Sequence, residues 1–267
     1  METRIRRFCC PIALVCALLC TLFFLPVSAA SGGHSWYCAH VKDHARPEMP
    51  RGMDFIRTMD GYFIDERPAV AAGEDRVVYL TFDAGYENGN VARVLDALRD
   101  KDVPAAFFIL SHLVESDAAL VERMFREGHA VCNHTAHHKD MSKLEGENFL
   151  SELRALEDTV RETLGRELSP YYRPPEGRFS KENLALAQGA GYKTVFWSFA
   201  YPDWDNDRQP PAEGAVRTIL ENLHSGEVLL LHPTSATNAT ILPRVIDAIR
   251  AEGYRFGTLD ELTGGLT

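Results

Sequence analysis

Val77-Val78-Tyr79-Leu80-Thr81-Phe82-Asp83-Ala84-Gly85 is the stretch that decides the fold. Its first six residues are β-branched, aliphatic or aromatic, the composition of a buried strand, and Asp83 and Gly85 mark where that strand ends. Residues 91–98 then repeat apolar side chains at helical spacing. The alternation continues outward from there. Residues 105–110 are a second strand and 118–126 a second helix, with Gly128 just beyond it as a helix stop. Residues 129–132 form a third strand and 149–164 a long amphipathic helix. Residues 194–198 and 228–231 supply two more strands, with helices over 215–223 and 243–252. Strand and helix in turn predict βαβ units: an α/β fold with a parallel sheet and its helices outside.

In such folds chemistry gathers at the carboxyl ends of the strands, whether the sheet is open or closed into a barrel. Asp83 ends the first strand, and His134 follows the third by two residues. Asp203 comes a short loop after the strand at 194–198, and His232 ends the strand at 228–231. Four potentially reactive side chains are therefore expected around one pocket.

The whole chain fits this reading. Its 267 residues suffice for one large domain or two small ones, and its apolar and charged fractions, 45% and 25%, are those of a globular protein. A formal net charge of −10 argues against nucleic acid as a partner, since a phosphate backbone would be repelled. A glycan is not excluded, and no protein partner is evident. Arg4, Arg6 and Arg7, the apolar run 8–25 and the small residues within Pro26-Val27-Ser28-Ala29-Ala30 read as a signal peptide over residues 1–30. Its cleavage would make the protein secreted or attached to the cell envelope. Four cysteines would leave with that segment; Cys38 and Cys132 stay, and their spacing leaves both a disulfide and two free thiols open. Residues 31–75 have mixed composition and read as an N-terminal extension wrapping a domain that spans 76–262.

Several residues carry chemistry. In His134-Thr135-Ala136-His137-His138 the first and last histidines share one helical face or converge across a turn, and either arrangement can hold a divalent metal. Such pairs are also common on surfaces. Asp83 is either a turn former or a base; His232 is either a core histidine or a general acid whose pKa lies near the working pH. Arg173-Pro174-Pro175-Glu176-Gly177 is a rigid turn whose arginine is either a surface cation or the partner of a buried carboxylate such as Asp83. Asp203-Trp204 sets an acid beside a large aromatic. Their order along the chain, not any single one, carries the argument.

In that order, with Leu230-Leu231-His232 last, these stretches resemble the five motifs of the polysaccharide deacetylases with the NodB homology domain. Phe82-Asp83-Ala84-Gly85-Tyr86-Glu87-Asn88-Gly89 and Val195-Phe196-Trp197-Ser198 are similar to the branch that makes muramic δ-lactam in the peptidoglycan of the spore cortex. The resemblance implies a distorted (β/α) barrel, usually of seven strands, and metal-assisted removal of an N-acetyl group. Within it Asp83 is the general base, His134 and His138 bind a divalent metal, Zn²⁺ first among candidates and weakly held, and His232 protonates the leaving amine. Asp203 tunes His232 and Arg173 orients Asp83. Pro175, Glu176, Trp204 and Leu230 surround the substrate, with the Glu176 N–H facing the oxyanion. Most of the family carries a second, metal-binding aspartate where this chain has Ala84. The expected substrate is N-acetylmuramic acid in peptidoglycan glycan strands. The alternatives are N-acetylglucosamine polymers or acetylated xylan, or a non-catalytic glycan-binding protein with a degenerate metal site.

Overall fold

The structure, a computed structural model, describes residues 33–264; the stretch read as a signal peptide lies outside them. After β1 (His34–Ser35) and β2 (Gly61–Tyr62) come α1 (Pro68–Ala71), β3 (Val77–Ala84), α2 (Asn90–Lys101) and β4 (Ala106–Ile109). The chain continues through α3 (Ser111–Ser116), α4 (Ala118–Arg126), β5 (Ala130–Asn133), α5 (Gly146–Leu164) and β6 (Ser169–Tyr172). Next are β7 (Arg178–Phe179), α6 (Lys181–Gly189), β8 (Lys193–Val195) and β9 (Phe199–Ala200). The last elements are α7 (Ala212–Asn222), β10 (Glu227–Leu231), α8 (Ala236–Ala251), β11 (Arg255–Phe256) and α9 (Leu259–Leu262).

Seven strands in the order β8-β6-β5-β4-β3-β10-β9 form a curled parallel sheet, a half-barrel that agrees with the distorted (β/α) barrel the resemblance implies. Two short strands add to it: β2 beside β8, and β11 beside the start of β3. At the base of the strands the curl is open between β8 and the start of β10, since β9 pairs with β10 only at Leu229 and Leu230. Residues 60–65 fill this opening, because Asp60 and Tyr62 carbonyls accept from Thr194 and Phe196, while the Asp65 N–H donates to Gly226 and Ile64 bridges Glu227.

Strand parity then decides what faces where, since side chains alternate across a sheet. Val78, Leu80, Phe82 and Ala84 of β3 join the apolar layer beneath the helices, together with Leu229 and Leu231 of β10. Val77 and Tyr79 turn the other way and fill the interior with Ala106, Phe108, Cys132, Tyr171, Val195 and Val228. Further along the same inward rows stand Leu110, His134 and Arg173, the next inward positions after Phe108, Cys132 and Tyr171, and Asp83 and His232, which lie beyond Thr81 and Leu230. Inward rows apolar at the base and polar at the top are what make a site at this end. Both cysteines among the described residues are free thiols, Cys132 buried in the interior of the sheet and Cys38 partly buried.

The sequence reading did not name α3, α6, α9 or the short strands β2 and β11, and three further differences have a clear physical reason. The strand expected at 194–198 is split into β8 and β9, because the Arg173 guanidinium takes the carbonyls of Val195 (2.9 Å) and Phe196 (3.1 Å) away from the ladder. The helix expected from Pro243 begins at Ala236, capped by Ser235, whose hydroxyl accepts from the Asn238 N–H; Pro243 lies inside it. The strand β6, Ser-Pro-Tyr-Tyr, was not anticipated, since a proline at its second residue argues against a central strand.

Candidate active site

Asp83 sits at the mouth of the barrel with Oδ1 accepting from Arg173 Nη1 at 2.8 Å. Arg173 is fully buried, lies over the Phe108 ring at 4.1 Å, and also donates to Thr81 Oγ1 at 3.0 Å. Every arm of its guanidinium is thus committed, which fixes the carboxylate it holds. Burial alone would raise the Asp83 pKa, but the charges of His134, Arg173 and His232 more than offset it and hold the carboxyl below its ordinary value.

His134 is buried, with Nε2 3.6 Å from Asp83 Oδ2. Its Nδ1 is 2.8 Å from the Arg173 carbonyl, which can only accept, so that contact assigns the proton to Nδ1 and leaves the Nε2 lone pair free. Burial pushes its pKa down to about 4, so the ring is neutral near pH 7. His138 stands edge-on to it, ring centres 5.2 Å apart, in a left-handed backbone conformation (φ 54°). Its N–H donates to Thr135 Oγ1 at 3.0 Å.

Two imidazoles on one cavity, one of them oriented through a carbonyl, suit a divalent cation of borderline softness. Ala84, fully buried, offers no donor, and among the described residues no three His, Cys, Asp or Glu side chains group as a metal cage. The donor set therefore fits an ion held by few protein ligands.

His232 has the opposite electrostatics. Its Nδ1 donates to Asp203 Oδ1 at 2.7 Å and its backbone N–H to Oδ2 at 2.8 Å. Burial works to lower its pKa, yet the hydrogen bond and charge of Asp203, with Asp83 beyond, raise it above the ordinary histidine value. Asp203 itself is buried and also accepts from Asn238 Nδ2 at 2.5 Å.

These groups open onto one cavity of about 700 Å³. Asp83, His134, His138, Glu176, Trp204, Leu230 and His232 line it, whereas Arg173, Asp203 and Pro175 stand behind its wall. Glu176 occupies a left-handed turn (φ 54°) at the rim, its side chain 3.1 Å from Arg178. Sequence reasoning passed over Tyr86, Trp197, Tyr201 and Thr234, which also line the cavity. Among the described residues three large apolar side chains stand exposed, and Tyr86 (40%) and Trp204 (58%) are two of them. Exposed aromatics at a pocket mouth suit a ligand with flat apolar faces, as a sugar ring has. Asn88 and Asn90 Nδ2 both donate to the Thr234 carbonyl at 2.9 Å, tying the loop after β3 to the loop after His232. A smaller cavity of about 210 Å³ lies at the other end of the strands, around His129 and Asp260, away from these groups.

A half-barrel with a paired base, a paired acid and two imidazoles at its mouth is the architecture of a hydrolase of acylated sugars, and the comparisons agree. The family model described as polysaccharide deacetylase matches residues 71–195. The chain is 31% identical over 255 residues to the peptidoglycan-N-acetylmuramic acid deacetylase PdaA of Bacillus subtilis (strain 168), covering 93% of this chain and 95% of that protein. It is 36% identical over 252 residues, 93% of each, to an uncharacterised 30.6 kDa protein of Geobacillus stearothermophilus. The solved structure of B. subtilis PdaA, a family 4 carbohydrate esterase, superposes with a TM-score of 0.82 at 31% identity over 88% of this chain and 98% of that one. The chain belongs to the polysaccharide deacetylase family. It is a carbohydrate deacetylase of the family 4 esterases, enzymes that depend on a metal ion.

Proposed function

We propose that the enzyme removes the N-acetyl group from N-acetylmuramic acid residues of peptidoglycan, leaving an amine that closes onto the lactyl group as muramic δ-lactam. The observation that carries the chemistry is that a carboxylate held by a buried arginine (Asp83–Arg173, 2.8 Å) and an imidazole held by a buried carboxylate (His232–Asp203, 2.7 Å) line one cavity, an arrangement that favours the charged form of each. Such an arrangement marks a base and an acid with separate tasks. Similarity to PdaA along almost the whole of both chains supports muramic acid as the sugar.

In this reading Asp83 accepts a proton from the attacking water, whose oxygen bonds to the acetamide carbon. His232 gives its Nε2 proton to the departing nitrogen as the C–N bond breaks, so acetate and amine leave together. Asp203 holds that imidazole charged and correctly turned, and Arg173 keeps Asp83 ionised. The Glu176 N–H would face the oxyanion, with Pro175 stiffening its turn. Leu230 would meet the acetyl methyl, while Tyr86 and Trp204 pack against the sugar. His134 and His138 would hold the divalent ion, Zn²⁺ on donor chemistry, which when bound polarises the carbonyl and acidifies water.

The same proposal assigns residues 1–30 to export, 31–75 to an extension and 76–262 to catalysis, which puts the enzyme where peptidoglycan is. The test is acetate release from peptidoglycan stripped of stem peptides, with chelator, with added Zn²⁺, and with Asp83→Asn. Metal-dependent release lost in the variant, with lactam-bearing muropeptides by mass, is expected. Release from N-acetylglucosamine polymers alone would refute the muramic assignment. Binding without any release would refute the proposed chemistry.

A further inference from the structure

The loop that carries His134 and His138 has two non-glycine residues in left-handed conformation, Thr135 (φ 74°) and His138 (φ 54°). For Thr, a β-branched residue, such a conformation is costly and persists only where the surroundings over-determine it. Those surroundings converge on one side chain. Glu152 lies on the buried face of α5 with Phe149, Leu153 and Leu156, where a carboxylate is expensive unless it is answered.

It is answered entirely from the loop. Glu152 Oε2 accepts from the His137 N–H at 3.2 Å, and both oxygens lie within 3.2 Å of His137 Nδ1. Lys139 Nζ stands 2.6 Å from Oε1. The Glu152 carbonyl accepts from the Ala136 N–H at 3.1 Å. One residue further along α5 the Leu153 carbonyl accepts from Asn133 Nδ2 at 3.0 Å, and Asn133 Oδ1 accepts from the Thr135 N–H at 2.8 Å. Residues 133, 135, 136, 137 and 139 are thus all tied, directly or through Asn133, to one turn of α5, while His134 and His138 between them face the cavity.

We propose that Glu152 is a positioning residue: it holds the 134–138 loop in the conformation that turns both imidazoles into the cavity, and His137 is the loop's handle. For the affinity consequence this rests on the metal reading above. The loop conformation itself does not depend on it. Outer-shell partners of metal-binding histidines are typically worth 10- to 100-fold in metal affinity.

The test compares Glu152→Ala with His137→Ala, the second removing a mostly exposed ring from the handle and leaving α5 intact. Hydrogen exchange of the amides of residues 136–138 is read in metal-free full chain, and Zn²⁺ affinity by calorimetry, with melting temperature as the fold control. Glu152→Ala should speed exchange of those amides beyond any change elsewhere in the sheet, and weaken Zn²⁺ by about tenfold, the low end for outer partners, since it acts through the loop and not on either ring. His137→Ala should do part of both, so a Glu152→Ala chain that fails to fold still leaves the proposal decided. Unchanged local exchange in folded variants overturns it. Should the wild type take up no Zn²⁺ while exchange responds as stated, the metal assignment fails and the positioning role stands.

Discussion

Asp203→Asn isolates the acid side of the proposed chemistry. The Asp203 carboxylate is met by three donors: His232 Nδ1 at 2.7 Å, the His232 N–H at 2.8 Å and Asn238 Nδ2 at 2.5 Å. An amide of the same shape has one accepting oxygen and presents an NH₂ where the other stood, so at least one buried donor faces a donor. That mismatch costs about 1–3 kcal/mol of stability. The effect on catalysis has a definite sign. His232 has a raised pKa because Asp203 favours its charged form, and a general acid works only while protonated. The rate therefore falls as pH rises through the His232 pKa. Loss of a contacting opposite charge lowers such a pKa by about 1–3 pH units, so the alkaline limb of kcat/KM should move down by that amount. At a fixed pH above both limbs the rate drops about 10- to 1000-fold. The assay is acetate release across pH 5–10, with wild type and variant profiled side by side. An alkaline limb that stays in place in a folded variant would refute the pairing of Asp203 with a catalytic His232.

Three further predictions follow from other parts of the molecule. Glu227 is fully buried and burial pushes its pKa up to about 8, so the folded state keeps a proton that the unfolded chain loses above about pH 4.5; stability from this group falls between those pH values. Glu227→Gln should remove that slope, and parallel melting curves for the two proteins from pH 5 to 8 would count against it. At Gly177 (φ 65°) an added Cβ would meet Trp197 at 2.9 Å and Trp36 at 3.0 Å, so Gly177→Ala should cost about 1–3 kcal/mol by denaturant titration and raise KM through the neighbouring Glu176 turn. Tyr86→Ala and Trp204→Ala should each raise KM for glycan about fivefold, for about 1 kcal/mol of lost ring contact, with little change in kcat; an equal fall in kcat instead would place those rings in the chemistry.

Much of the fold was legible because two periods dominate it. The buried parallel strands read as unbroken apolar runs and the outer helices as amphipathic ones, so the alternation from Val77 onward located the site at the strand ends. The site residues were visible because they stand at the ends of inward rows that begin apolar, as Asp83 does beyond Val77, Tyr79 and Thr81. What escaped was set by tertiary contact. β6 carries a proline and two tyrosines, and only its partners make it a strand. The break between β8 and β9 depends on a guanidinium that comes from some twenty residues earlier. Tyr86 and Trp197 entered only through the family resemblance, and nothing in their sequence neighbourhood aims them at a cavity. Glu152, on a helix with many acids, has nothing in its sequence neighbourhood to separate it from a solvated residue.

The strand β2 has a consequence for how the molecule comes into being. Tyr62 and Ile64 are made early, but the partners they need, Val195 and Glu227, lie roughly 130 and 160 residues further on. Closing the curl is therefore among the last events that synthesis permits, and until then a nascent chain carries an unfilled gap between β8 and β10. A gene fragment starting at the family-matched region would produce that gap permanently, with the edges of β8 and β10 open to pairing with another chain. Residues 60–65 are thus held in waiting for partners at 194–196 and 226–227, which ties the birth order of the polypeptide to the moment the curl of its sheet is closed.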